Sequence, residues 1–133
     1  MNNKSKYGEL PDRAHYINFQ MITTRWSDND IYGHVNNVTY YSYFDTAVNH
    51  YLIHQGKLDI QTGTVAGYVV DSRCSFHNPV SYPENIDVGL RVEHIGNSSV
   101  TYALGIFKSG TSSLCAHGSF VHVFVNRKTS KPT

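Results

Sequence analysis

Residues 34–55 read HVNNVTYYSYFDTAVNHYLIHQ, bounded by Gly33 and Gly56, with neither glycine nor proline between them. An uninterrupted interval of this size predicts one long helix of about five turns. Asn36 or Asn37 can supply its N-cap, and Gly56 stands where helices commonly stop in the left-handed conformation. Tyr40, Phe44, Ala47 and Tyr51 recur at i, i+4, i+7 and i+11, widened by Tyr43, while Tyr41, Val48 and Leu52 form a second stripe beside them. Ser42, Asp45, Thr46, Asn49 and His50 leave only a narrow polar face. A surface helix needs one apolar stripe, so a helix that is apolar or aromatic over most of its circumference is expected to be enclosed on several sides.

The rest of the chain supplies the enclosure. Upstream, Ile17, Phe19 and Met21 alternate with Asn18 and Gln20, a strand pattern, and the polar run Ser27-Asp28-Asn29-Asp30 follows as a turn. Downstream the period becomes two. Val65 to Phe76 is a candidate strand. Ile86, Val88, Leu90 and Val92 alternate with polar or small residues, Gly96-Asn97 marks a turn, and Val100, Tyr102, Leu104 and Ile106 alternate again, which reads as a hairpin. Leu114 to Val125 is a last strand, bulky on both faces near its end and therefore central. Pro79 and Pro83 bracket a loop before the hairpin. The first dozen residues read as frayed within an N-terminal lead-in of residues 1–16, and 17–133 as a single domain. Strand, helix and four antiparallel strands define an α+β architecture in which one sheet curls around one helix. The bare sheet edge and half-covered helix that result predict pairing with a second copy, hence a homodimer.

Composition narrows the function. A chain of 133 residues, 40% hydrophobic and 16% charged, suits one folded domain and not a disordered one. Its net charge of +1 offers no basic excess for nucleic acid. The only two cysteines, Cys74 and Cys115, have no CxxC spacing and read as reduced, packed thiols. The polar opening residues lack the apolar core of a signal peptide, and no apolar run is long enough to span a membrane, so a cytoplasmic protein without membrane partners is expected. No metal is expected either. His50 and His54 share a helix face, but Tyr51 stands where a metalloprotease helix carries glutamate. Asp28, Asp30 and Gly33 begin like a calcium loop, yet Thr39 occupies the position of its bidentate glutamate. No G-x-S-x-G nucleophile elbow is present.

Chemistry concentrates between Arg25 and Asn37, just before the long helix. Amides at a helix start have no intrahelical acceptor and can polarise a carbonyl oxygen. An aspartate beside them, Asp30, would be a nucleophile or general base next to an electrophile-activating group, a combination suited to acyl transfer to water. Position and residue type alone leave a plain turn and cap as the competing reading.

The run Asp28-Asn29-Asp30-Ile31-Tyr32-Gly33-His34-Val35-Asn36-Asn37-Val38-Thr39-Tyr40 resembles the D-x-D-x-x-G-H-V-N-N-x-x-Y signature of hot-dog-fold acyl-CoA thioesterases of the 4-hydroxybenzoyl-CoA thioesterase-like family. Tyr43-Phe44-Asp45, Asn78-Pro79-Val80, Gly96-Asn97-Ser98-Ser99-Val100 and the last strand are similar to the same family, from about Ile17 to Pro132. The resemblance implies a hot-dog fold, a dimer or tetramer, and hydrolysis of an acyl-CoA or acyl-carrier thioester with no cofactor beyond the CoA of the substrate. It implies a catalytic role for Asp30, an oxyanion donor in the backbone amide of about Asn37, and a role for His34 like that in plant acyl-carrier-protein thioesterases. Those relatives also use an asparagine where this chain has Tyr32. Asp28 is expected to be structural. Tyr32, Gly33, Val35, Tyr40, Tyr43 and Phe44 are expected around the acyl group, and Ser98, Ser99, Arg127 and Lys128 near the coenzyme. A hot-dog hydratase or dehydratase, or a non-catalytic acyl-CoA-binding protein, are the alternatives.

Overall fold

The structure, a computed structural model, describes residues 4–5, 8–55 and 63–133, with side chains from Leu10 onward. Helix α1 spans Asn37–His54, capped by Asn36, whose side chain accepts a hydrogen bond from the Val38 N–H. Its 18 residues match the five turns read from the sequence. Gly56, expected to end it, lies outside the described residues.

Two short strands, β1 (Lys4–Ser5) and β2 (Gly8–Glu9), pair with each other. The main sheet comprises β3 (Asn18–Thr23), β4 (Val65–Phe76), β5 (Asn85–Ile95), β6 (Ser99–Lys108) and β7 (Leu114–Asn126), in the spatial order β3-β5-β6-β7-β4. Every neighbouring pair in it is antiparallel. The hairpin closes at Gly96, whose N–H donates to the Ser99 carbonyl (2.8 Å). β7 is interior, as its two bulky faces predict. This is the hot-dog arrangement of one helix held by one curled sheet.

Tyr40, Tyr43, Phe44, Ala47 and Val48 of α1 face Val88, Leu90, Leu104, Ile106, Ala116 and Phe120 of the sheet in a single core. Phe44, with no exposed surface, meets Phe120 edge to face at 5.9 Å. The helix comes this close because residue 118 is glycine: a Cβ there would lie 3.0 Å from the Phe44 ring and 1.9 Å from the Arg73 carbonyl oxygen. Enclosure is one-sided in the single chain. Ser42, Asp45, Thr46 and His50 are exposed as expected, but so are Val38 and Ile53. Among the described residues no helix is long and apolar enough to cross a membrane.

One reading of the sequence needs correction. Residues 10–16 are docked, not frayed. Arg13 donates to Asp87 (2.8 Å), and Tyr16 is buried against Phe107 and Phe19, its hydroxyl donating to the Leu104 carbonyl (3.3 Å). The apolar row Ile17, Phe19, Met21 also points away from the helix and is exposed, while Ile22 packs against the core. Alternation reveals that a strand has two unlike faces, but not which one meets the helix.

Phe44→Ala should destabilise the fold by about 3–5 kcal/mol, because the tightly packed site cannot collapse around the void. Urea unfolding followed by circular dichroism measures it.

Candidate active site

The polar stretch ahead of α1 folds into a small hairpin of its own. Asn29 and Val35 form an antiparallel bridge, the Asp30 N–H donates to the His34 carbonyl (2.9 Å), and the Gly33 N–H returns to the Asp30 carbonyl (3.0 Å). Gly33 has φ +83°, a conformation that side chains resist, so this position in the motif calls for glycine. The Asp30 side chain takes part in the turn, accepting from the Tyr32 N–H through Oδ1 (2.9 Å). Among the described residues no hydrogen bond reaches its second oxygen. The loop is pinned to the segment after β4: Val35 N–H donates to the Val80 carbonyl (2.7 Å), and Ser81 Oγ donates to the Gly33 carbonyl (2.9 Å).

Asp28 anchors the other end. It is 2% exposed, receives the Arg25 backbone N–H (2.9 Å) and guanidinium (3.0 and 3.2 Å), and accepts a 2.7 Å hydrogen bond from the Tyr43 hydroxyl of α1. Burial alone would raise this carboxyl. The bonds from Tyr43 and Arg25 outweigh it and hold Asp28 below the usual carboxylate range. Asp28 is thus structural, as expected.

Asp30, Tyr32, His34, Val35, Asn37 and Tyr40 line one cleft of about 370 Å³. Asn37 opens α1, so its N–H is among the first-turn amides without an intrahelical acceptor. Tyr40 is buried and meets Phe76 edge to face at 5.0 Å. Burial pushes its phenol up to about 12, so it stays a protonated donor. The structure places Tyr43 and Phe44 elsewhere, in the core, with Tyr43 committed to Asp28. Burial and the Asp28 carboxylate both push the Tyr43 phenol upward. Ser98 and Ser99 sit at the β5–β6 turn, Lys128 is exposed beyond β7, and Arg127 lines a separate cleft of about 490 Å³ with Asn49, Leu52 and Tyr68.

The opposite wall of the Asp30 cleft is made by Phe76, His77, Asn78 and Pro79. None of these was singled out as a site residue. The signal was available in the family-like Asn78-Pro79-Val80 segment, whose neighbour His77 comes with it.

The chain belongs to the Thioesterase-like superfamily, whose family model matches residues 24–133. It is a hydrolase of the thioesterase type. It is similar to the crystal structure of the PA5185 protein of Pseudomonas aeruginosa, at 59% identity and a TM-score of 0.90, covering 92% of this chain and 86% of that one. A candidate acyl-CoA thioesterase of Xanthomonas campestris is 30% identical, with a TM-score of 0.73 over 81% of this chain and 92% of that one. A 1,4-dihydroxy-2-naphthoyl-CoA thioesterase of Synechocystis, 18% identical, shares the fold with a TM-score of 0.77, over 86% of each chain.

The depressed carboxyl of Asp28 contributes stability that is present above an ordinary carboxylate pKa of about 4 and is lost as pH falls through its lower folded value. Asp28→Asn should therefore lower the melting temperature at pH 7 and flatten its fall below about pH 4, where the wild type surrenders this contribution. Thermal melts across pH 2–7 check it.

Proposed function

We propose that this chain hydrolyses acyl-CoA or acyl-carrier thioesters to the free acid and thiol. The observation that carries the reading is the meeting of Asp30, His34 and Asn37 in one aromatic-walled cleft. A substrate carbonyl oxygen at the start of α1 is polarised by the Asn37 N–H and the positive end of the helix. The Asp30 carboxylate, oriented by the Tyr32 N–H, attacks the carbonyl carbon or takes a proton from the attacking water. The C–S bond then breaks and the electron pair departs on the thiolate, a good leaving group that needs no strong acid. Tyr32, Gly33, Val35 and Tyr40 border the acyl group, and no cofactor beyond the CoA of the substrate takes part.

The functional unit in this reading is a homodimer, or a dimer of dimers. Support comes from β4, a 12-residue edge strand with Tyr68, Val69 and Val70 exposed, the kind of edge that a second copy covers. Arg127 stands beside that edge in the cleft shared with Tyr68, where it can meet coenzyme phosphates together with Lys128. Ser98 and Ser99 are assigned to the coenzyme more loosely, as donors at the hairpin turn. The two free thiols suit a reducing compartment, the cytoplasm.

Release of free thiol from a panel of acyl-CoA substrates tests the activity. Asp30→Asn should lower turnover by about a hundredfold or more with the far-ultraviolet spectrum unchanged. Undiminished turnover would remove Asp30 from the mechanism. Light scattering at micromolar concentration should give a dimer or tetramer, and a stable monomer would contradict the assembly.

A further inference from the structure

His77 follows β4 directly and is fixed by its backbone N–H, which donates to the Cys115 carbonyl (2.8 Å). His117 lies on β7, in register with Ser75 of β4. His77 Nε2 and His117 Nδ1 are 2.7 Å apart, and the two ring planes lie within 5° of parallel. Such a contact holds one proton: one imidazole donates and the other accepts.

The two rings open onto different surfaces. His77 lines the cleft of Asp30, where Asp30, Tyr32, His34 and Tyr40 are the titratable groups that face it. His117 lines a depression of about 680 Å³ on the far side of the sheet, beside Tyr16. Asp12, His15, Arg73, Cys74 and Glu93 are the other titratable groups there. The two hollows share no lining residue, so the histidine pair is a hydrogen-bonded connection between them. Burial lowers the affinity of both rings for an extra proton, and His77 and His15 lower that of His117 further. Both rings therefore rest neutral near pH 7, each with one nitrogen able to accept.

We propose that His77 and His117 form a two-imidazole proton relay for the hydrolysis at Asp30, an inference that rests on the function proposed above. With Nε2 directed at His117, the remaining ring nitrogen of His77 is Nδ1. Water adds to the thioester carbon, forming the C–O bond while the carbonyl electron pair moves onto oxygen. The proton of that water passes through the Asp30 carboxylate to His77 Nδ1. The Nε2 proton of His77 moves to His117 Nδ1, and the Nε2 proton of His117 leaves to water in the outer depression. Collapse re-forms the carbonyl, breaks the C–S bond and releases thiolate. The reverse passage delivers one proton to the thiolate and restores both starting tautomers. The sum is thioester plus water giving acid plus thiol, with no proton left over.

Turnover of an acyl-CoA by the full chain, measured in mixtures of light and heavy water, tests the relay. For the wild type the plot of rate against deuterium fraction should bow downward, because more than one proton moves. His117→Gln keeps a hydrogen-bonding partner for His77 but cannot pass a proton. It should lower kcat about tenfold with KM within about twofold, straighten the plot and displace the acid limb of the pH profile. A His117→Gln enzyme that keeps kcat and a bowed plot overturns the relay. Nitrogen NMR of the resting wild-type imidazoles gives a second reading that does not depend on the variant folding. His77 and His117 should titrate as a coupled pair below the ordinary histidine range, and independent titration overturns the proposal. If the wild type hydrolyses no acyl-CoA while the pair titrates as coupled, the fault lies with the reading at Asp30 and not with the shared proton.

Discussion

The buried carboxylate of Asp28 is the contact on which the site depends. One oxygen receives the Tyr43 hydroxyl from the second turn of the helix, and the Arg25 backbone and guanidinium complete its shell. A carboxylate this deeply buried is tolerable only while its partners hold it, and leaving such an acceptor unsatisfied typically costs about 1–3 kcal/mol. The same residue offers its backbone carbonyl to the Asn36 N–H (2.9 Å), at the N-cap of α1. Side chain and main chain of Asp28 thus tie the loop to the helix at two points. Asp30, two residues on, inherits its place relative to the helix start from that double attachment.

In the reaction proposed above, the chemistry is assembled from groups that are cheap to orient. The amide at Asn37 is aimed by the helix itself. Asp30 is aimed by a turn that Gly33 alone makes easy and that spends one carboxylate oxygen on the Tyr32 N–H. Tyr40, held protonated by burial, adds an aromatic wall. Each of these is set before any ligand arrives, and such preorganisation is what electrostatic catalysis requires.

Much of this was legible in the residues. The uninterrupted interval from Gly33 to Gly56 announced the helix, strict alternation announced the β5–β6 hairpin, and the family-like run from Asp28 to Tyr40 brought Asp30, His34 and Asn37 to one end of it. What stayed hidden depends on contacts between distant segments. His77 and His117 are 40 residues apart in the chain and look like isolated imidazoles until β4 and β7 pair. The outward direction of Phe19 and Met21 follows from the docking of Tyr16 on the same face, which no local pattern encodes. Tyr43 and Phe44 carried the same aromatic signal as Tyr40. Only packing separates the residue that reaches the cleft from the two that fill the core.

The walls of the cleft come from parts of the chain that meet late. Val35 bonds to Val80, His77 bonds to Cys115, and Tyr40 packs on Phe76, so the two walls are joined through the end of β4, the loop after it and the start of β7. Contacts of this sequence separation carry a loop-closure cost that neighbouring turns do not. The hollow beside Asp30 therefore takes shape only once β7 has paired with β4, so it is a product of tertiary assembly and not of the loop that carries the aspartate.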